Sequence, residues 1–303
     1  MKNSENKNKI FAYALFAIVL FIWGTCIIVN KISLNAYSPA IMIGCRSVIA
    51  SVVLFLFAIP RLKKIDKSLI KAGILIGIFS GLGYLFQLIG LNYTTPVKNG
   101  FYEYTSIIFV PVFLVILTRV KQHFIKWISC AVCIVGIVVM SFGETGLSQL
   151  SEINLGDALS ALAGLFYGIN IVITSIFCKD KDPFLLTLFR FIIITIMSLS
   201  YAFIFEEVAF SLQFKDIAVL LYLGVFATAV CWLLRVVILK HIDSNIYSVA
   251  SSFSAVINTI FSIVLGFDKI SLSLILGGTI IFTAIILSSF GDIKQTNLKN
   301  KFD

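Results

Sequence analysis

Apolar residues run along this chain in blocks of about twenty, each closed by a short polar stretch. A bilayer core takes roughly 20 residues of helix per crossing. Windows of that length fall at 10–30, 38–59, 70–91, 98–118, 123–143, 155–177, 184–205, 216–239, 245–266 and 270–290. Within them polar residues recur at helical spacing, as Trp23 and Asn30 do with Ile27 at i, i+4 and i+7. The pattern predicts an all-α membrane protein of ten transmembrane helices. The connections leave no room for a soluble domain, and the polar segment after Gly291 reads as a disordered tail. The start, MKNSENKNK, has the charge of a signal sequence. The apolar run after it is roughly 20 residues long and reaches Asn30-Lys31 without a small-residue cleavage pattern, so it reads as an uncleaved first span.

The pattern also repeats. A shift of 144 residues brings Trp23-Gly24 onto Tyr167-Gly168, Asn30 onto Thr174, Pro39 onto Pro183 and Arg46 onto Arg190. An intramembrane Arg with a Pro seven residues before it rarely recurs by chance. Each copy holds five windows, and an odd number makes the second copy enter from the opposite side. The expected architecture is therefore two inverted five-helix repeats, with a substrate site near the midplane between them. Its parts are an N-terminal tail at 1–9, repeats at 10–143 and 155–290, and a C-terminal tail at 291–303.

Charge adds an orientation. Of 24 Lys and Arg, 17 lie in the tails and in one alternate set of connections, densest at Arg61, Lys63, Lys64, Lys67 and Lys71. The other set holds Lys31, Lys98, Lys215 and Lys269, while Arg46, Arg190 and Arg235 fall within windows. The positive-inside rule then makes both termini cytoplasmic, in a bacterial-type inner (plasma) membrane. The connection 144–154, with Glu144 and Glu152 and no base, falls outside. The net charge of +9 is thus topological, and no basic face of the nucleic-acid-binding kind is expected.

Composition agrees with a lipid solvent: 59% hydrophobic and 13% charged, against about 25% charged in soluble domains. All six Cys lie in or at the ends of apolar stretches, so Cys130-x-x-Cys133 reads as small buried hydrophobes. The two histidines, His123 and His241, flank helix ends and build no zinc site. Neither a metal nor a cofactor is expected.

Several segments carry a resemblance: WGTCIIVNK, the Arg in GCRSVIA, LIGLNYTTPVKNGF followed by Pro111, and GDALSALAGLFYGIN at the opening of the second half. In this order they resemble the EamA-type transporters of the drug/metabolite transporter superfamily, over nearly all of the membrane region. The resemblance implies ten helices, cytoplasmic termini and transport of amino acids or related metabolites. There are departures. The family's Gly-Glu after the fourth and ninth spans is replaced by Thr118-Arg119 and Gly266-Phe267, and Ser254 or Ala255 stands near its ninth-span Pro.

Candidate substrate-binding residues are the polar and aromatic ones inside windows: Trp23, Asn30, Arg46, Tyr84, Gln87, Tyr102, Glu103, Tyr167, Asn170, Arg190, Trp232 and Asn258. Glu103 is the one acid that the windows place clearly inside a helix, and a lone carboxylate there needs a cavity or a basic partner. Three roles are open for it: proton relay, ligand for a substrate amine, or structural partner of Arg46. A fourth leaves it hydrated near the rim beside Lys98. Arg46 and Arg190 fit a shared scaffold role as well as substrate contact. Arg235, about one turn from the cytoplasmic end, is expected to snorkel to the interface. The amides of Gln87, Asn170 and Asn258 need partners, which a wet cavity or a neighbouring helix would supply. The stripe Ser251, Ser254, Asn258 and Ser262 on the ninth span is of the same kind. Small residues at Gly73, Gly77, Gly81 and at Gly156, Ser160, Gly164, Gly168 put the third and sixth spans at tight helix contacts.

The function expected is a secondary transporter, exporter or exchanger, of small polar metabolites by alternating access, acting as monomer or homodimer. Glu103 is the candidate for proton coupling. A channel would show rings of like charge or repeated filter carbonyls, and an intramembrane enzyme a nucleophile–base pair, paired aspartates or a metal set.

Overall fold

In the computed structural model, which describes residues 2–142, 154–242, 244–251 and 253–302, helix fills every apolar window. The first three spans are α1 (Lys2–Ser33), α2 (Pro39–Ala58) and α3 (Lys67–Tyr93). The fourth is broken into α4 (Pro96–Glu103) and α5 (Ser106–Thr118). Then come α6 (Phe124–Phe142), α7 (Leu155–Phe177) and α8 (Pro183–Phe205). The eighth span joins α9 (Phe214–Tyr222) to α10 (Cys231–His241) through a π-helical stretch, Leu223–Val230. The ninth holds α11 (Ser244–Ser251) and α12 (Phe253–Val264), and α13 (Leu272–Phe302) is the last.

Local chemistry sets the helix starts. Pro39, Pro96 and Pro183 open α2, α4 and α8, where a missing N–H costs nothing. Asp66 caps α3 by accepting from Leu69 N at 2.6 Å, and Asp182 caps α8 by accepting from Phe184 and Leu185. Among the described residues, eight spans are long and apolar enough to cross a membrane. The other two, α6 and α13, carry shorter apolar stretches, Phe124–Gly136 and Ile275–Ser288, and pack against each other.

The tail expected to be disordered after Gly291 instead continues α13 to Phe302. Once the apolar turns have nucleated the helix, each further residue adds a hydrogen bond, and nothing after Gly291 is a Gly or Pro to stop it. Of the connection 144–154, residues 144–153 lie outside the described residues. Asn154 is described, and its side chain caps α7 from Gly156 N at 2.9 Å.

The expected tight contacts are present. Helix α3 runs through the middle of the bundle between α7 and α8. Its Gly73 and Gly77 face α8 so closely that added Cβ atoms would stand 2.4 Å from Phe189 Cβ and 2.7 Å from Ile193 Cβ. On α7, a Cβ at Gly156 would meet the Gly90 carbonyl at 2.6 Å, and one at Gly164 the Tyr102 carbonyl at 2.7 Å. Packing at this range excludes larger side chains. The outer surface displays Phe57, Phe203, Phe205 and Phe214, an apolar face that lipid solvates and water does not. The fold is that of an all-α, multi-pass membrane protein.

Candidate functional site

Two irregularities open the centre of the bundle. At Tyr104-Thr105 the fourth span breaks, and the Thr105 hydroxyl donates to the Tyr102 carbonyl at 2.7 Å. That break brings Glu103, Tyr104 and Ser106 into one wall. In the eighth span the wider π-helical turn precedes Trp232 and changes the phase of α10, so that Trp232 and Arg235, at i and i+3, share the inner face.

Between them lies a cavity of about 60 Å³. Eight of the residues singled out from the sequence line it: Trp23, Asn30, Arg46, Tyr84, Gln87, Glu103, Tyr167 and Trp232. Cys26, Ile27, Tyr104, Ser106, Ile171, Arg235, Tyr247 and Ser251 complete the wall. Its volume is well below the roughly 300–1,000 Å³ of sites that enclose a drug-sized ligand. A metabolite therefore fits only when the helices part.

Hydrogen bonds organise the wall into two groups. Each Arg46 nitrogen has an acceptor: Nε donates to Thr228 Oγ1 at 2.8 Å, Nη1 to Asn30 Oδ1 at 3.2 Å and Nη2 to the Tyr84 hydroxyl at 3.2 Å. The same hydroxyl accepts from the Trp232 indole. Across the cavity, the Tyr167 hydroxyl donates to Gln87 Oε1 at 2.7 Å, and Gln87 Nε2 donates to Glu103 Oε2 at 2.5 Å. Glu103 thus bonds Gln87 on α3, while Arg46 bonds other partners. Trp23 is fixed by its indole N–H on the Ala227 carbonyl at 3.1 Å.

Tyr102, Asn170, Arg190 and Asn258 lie outside this wall. Asn170 donates to the Ile76 carbonyl at 3.0 Å and to Ser80 Oγ at 2.7 Å, tying α7 to α3. Asn258 donates to the Pro96 carbonyl at 2.7 Å, tying α12 to α4. Ser254 on the same stripe reaches the Leu20 carbonyl of α1. These polar groups hold helices together. Tyr102 is buried in α4. Arg190 is fully buried, its guanidinium 3.3 Å from the Trp232 ring centroid.

Arg235 departs from expectation. Instead of snorkelling it is only 3% exposed, lines the cavity, and sits 4.4 Å from the Trp232 centroid and 5.5 Å from that of Tyr247. Counting residues from a helix end misjudged its depth, because α11 covers that end of α10 with Tyr247. The spacing Trp232 to Arg235 was the available signal.

Polar bridges close both ends of the α3–α7 pair. At the α3 C-terminus, Asp157 accepts from Thr94 Oγ1 at 2.6 Å and pairs with Lys98 at 3.7 Å, while Lys31 donates to the Leu91 and Thr94 carbonyls. At the other end, Asp182 pairs with Arg61 at 3.6 Å and Lys64 at 3.7 Å, and Lys181 pairs with Asp66 at 3.5 Å.

Comparison with known proteins is consistent with this architecture. The sequence model of the EamA-like transporter family matches residues 10–142 and 154–290. An "uncharacterized transporter" of Archaeoglobus fulgidus is 30% identical over 286 residues, covering 94% of this chain and 88% of that protein. The "uncharacterized transporter YoaV" of Bacillus subtilis is 26% identical over 276 residues, covering 90% of this chain and 94% of its own. A crystal structure of a protein 16% identical in sequence shares the fold, with a TM-score of 0.69 over 92% of this chain and 96% of that one. The chain is a multi-pass membrane transporter and belongs to the EamA-like transporter family.

Proposed function

We propose that this transporter carries small polar metabolites, such as amino acids or related compounds, as an exporter or exchanger working by alternating access. The observation that carries this reading is the central cavity. Its wall is drawn from residues 23–106 and 167–251, and polar bridges tie both ends of the α3–α7 pair. A cavity too small for a metabolite is what a state with the helices drawn together requires. The substrate-binding residues are the cavity-lining candidates, Trp23, Asn30, Arg46, Tyr84, Gln87, Glu103, Tyr167 and Trp232.

The two halves act as inverted repeats, 10–143 and 155–290, with both termini on the cytoplasmic side of the inner (plasma) membrane. Packing supports the repeat, because helix contacts come in exchanged couples. Helix α3 packs on α7, and their counterparts 144 residues away, α10 and α1, pack together as well. Helix α3 also packs on α8, as the π-helical stretch packs on α2. The pairs α2–α8 and α6–α13 are their own counterparts, and α4–α12 is matched by α5–α11. One chain supplies both halves, so a monomer suffices for the cycle.

The test is flux through liposomes holding the purified protein. A carrier gives saturable, counterflow-competent uptake of a labelled metabolite, whereas an ohmic ion current would replace this reading with a channel. Glu103 is the proposed site of proton coupling, since its carboxylate bonds the Gln87 amide beside the cavity. Glu103→Gln should remove the dependence of net transport on a pH gradient and leave counterflow intact. Unchanged gradient dependence would take Glu103 out of coupling.

A further inference from the structure

The bundle interior holds three guanidinium groups, those of Arg46, Arg190 and Arg235, which are 2%, 0% and 3% exposed. Glu103 is the carboxylate of the cavity wall. Arg46 spends its donors on Asn30, Thr228 and Tyr84. The other two do not. Arg190 Nε, Nη1 and Nη2, and Arg235 Nε and Nη2, are buried and donate to nothing among the described residues. What they have instead is the same indole face, with Trp232 3.3 Å from one guanidinium and 4.4 Å from the other. Two distances to one centroid keep the two cations within about 8 Å of each other, where like charges repel in a medium of low dielectric.

An aromatic face attracts a cation but supplies no hydrogen-bond acceptor. Buried guanidinium N–H groups require acceptors, and a buried positive pair requires counter-charge. Glu103 is one carboxylate for two cations, and one of its oxygens is already taken by Gln87 Nε2. Arg235 lies in the cavity wall, so an acceptor entering the cavity reaches it.

We infer that the transported species is a small organic anion that seats a carboxylate on Arg235, with Arg190 adding its charge across Trp232. This rests on the carrier reading above and narrows it to a substrate class. A carboxylate is planar and offers two oxygens to the guanidinium fork. The rest of the wall, with Trp23, Tyr84, Tyr167 and Tyr247, suits an apolar or aromatic body behind that head group. Glu103, held by Gln87 in the same wall, disfavours a second carboxylate on its own side of the cavity.

The experiment compares head groups on one body: phenylacetate, phenylacetamide and phenethylamine at matched ionic strength. Each is added to the detergent-purified full-length protein, and the thermal unfolding midpoint is read against concentration. Phenylacetate should raise the midpoint saturably, the amide and the amine should not, and Arg235→Gln should weaken phenylacetate binding at least tenfold. The inference is overturned if the amine or the amide stabilises as well as the acid, if none of the three does, or if phenylacetate acts equally on Arg235→Gln. Should that variant not fold, the head-group comparison on the wild type decides alone. Counterflow in liposomes separates this from the carrier reading. Exchange of the amine but not the acid removes the anion and keeps the carrier, whereas binding of the acid with no exchange of any compound removes the carrier.

Discussion

Arg46 and Arg190 stand 144 residues apart, at matching positions of α2 and α8, two helices that pack on each other. Arg46 donates three hydrogen bonds and Arg190 none among the described residues. The same 144-residue shift explains the inequality. Two of Arg46's partners, Tyr84 and Thr228, are themselves 144 residues apart, so a symmetric arrangement would ask this one pair of hydroxyls to serve both arginines. Arg46 takes both. Its third acceptor, Asn30, corresponds to Thr174, whose buried hydroxyl also lacks a partner. Glu103 likewise corresponds to Tyr247, and both line the cavity. The first half therefore brings the acid and a cation with hydrogen-bond acceptors, and the second half brings the unspent cations. Duplicated helices supply the frame, and departures from duplication polarise the cavity.

The largest effect that tests this contrast is on stability. Arg46→Met strands Asn30, Thr228 and Tyr84 and should cost about 4 kcal/mol or more, since three hydrogen bonds to a charged group are lost at roughly 1.5–3 kcal/mol each. Arg190→Met removes a buried cation that satisfies nothing. It should be neutral or stabilising by about 1–4 kcal/mol, as when buried charges are replaced by apolar groups of similar size. Reversible unfolding of both variants in mixed micelles measures the difference. Equal losses would break the comparison and make the two arginines equivalent scaffold elements.

That inequality was not legible in the sequence, although both arginines were. Span positions were readable because a run of about twenty apolar residues is a coarse signal that tolerates errors of a turn. The partners of Arg46 lie 16, 38 and 182 residues away, and no local pattern selects them over the counterparts of Arg190. Depth failed for a different reason. Arg235 was judged by its distance from a helix end, which takes no account of the phase change over Leu223–Val230 or of the cover that Tyr247 provides. The amides divide in the same way: Gln87 faces the cavity, whereas Asn170 and Asn258 bind the backbone of neighbouring helices. Composition alone does not separate a polar group that awaits a ligand from one that ties two helices.

A smaller change makes the first half resemble the second. Asn30→Thr gives Arg46 the residue that stands at the corresponding place beside Arg190, removing the bond at 3.2 Å and leaving those to Thr228 and Tyr84. The expected loss is about 1.5 kcal/mol, the low end for one hydrogen bond to a charged group. The same unfolding assay reads it. A loss as large as that of Arg46→Met would mean that Asn30 alone holds the guanidinium, and the competition for Tyr84 and Thr228 would then explain nothing.

The smallest effect concerns the helix starts of the two halves. Asp66 caps α3 through Leu69 N, whereas the corresponding helix of the second half, α9, begins at Gln213 with no side-chain cap. The Leu69 N–H is the main reason that the Asp66 carboxyl is held below the usual carboxylate range, with Lys181 at 3.5 Å adding to it. A carboxyl lowered by folding stabilises the fold above its unfolded value near pH 3.9, and loses that contribution as the pH falls through the lower folded value. Asp66→Asn keeps an acceptor suited to the cap and removes the titration. At pH 7 the variant should be slightly less stable than wild type, because the cap bond from Leu69 N–H loses its charge and the exposed pair to Lys181 is lost. Below about pH 4 the wild type should lose this increment and the two curves should converge. Parallel curves through that range would show that the cap of the first half contributes no pH-dependent stability, leaving the arginines and their partners as the place where the two halves differ.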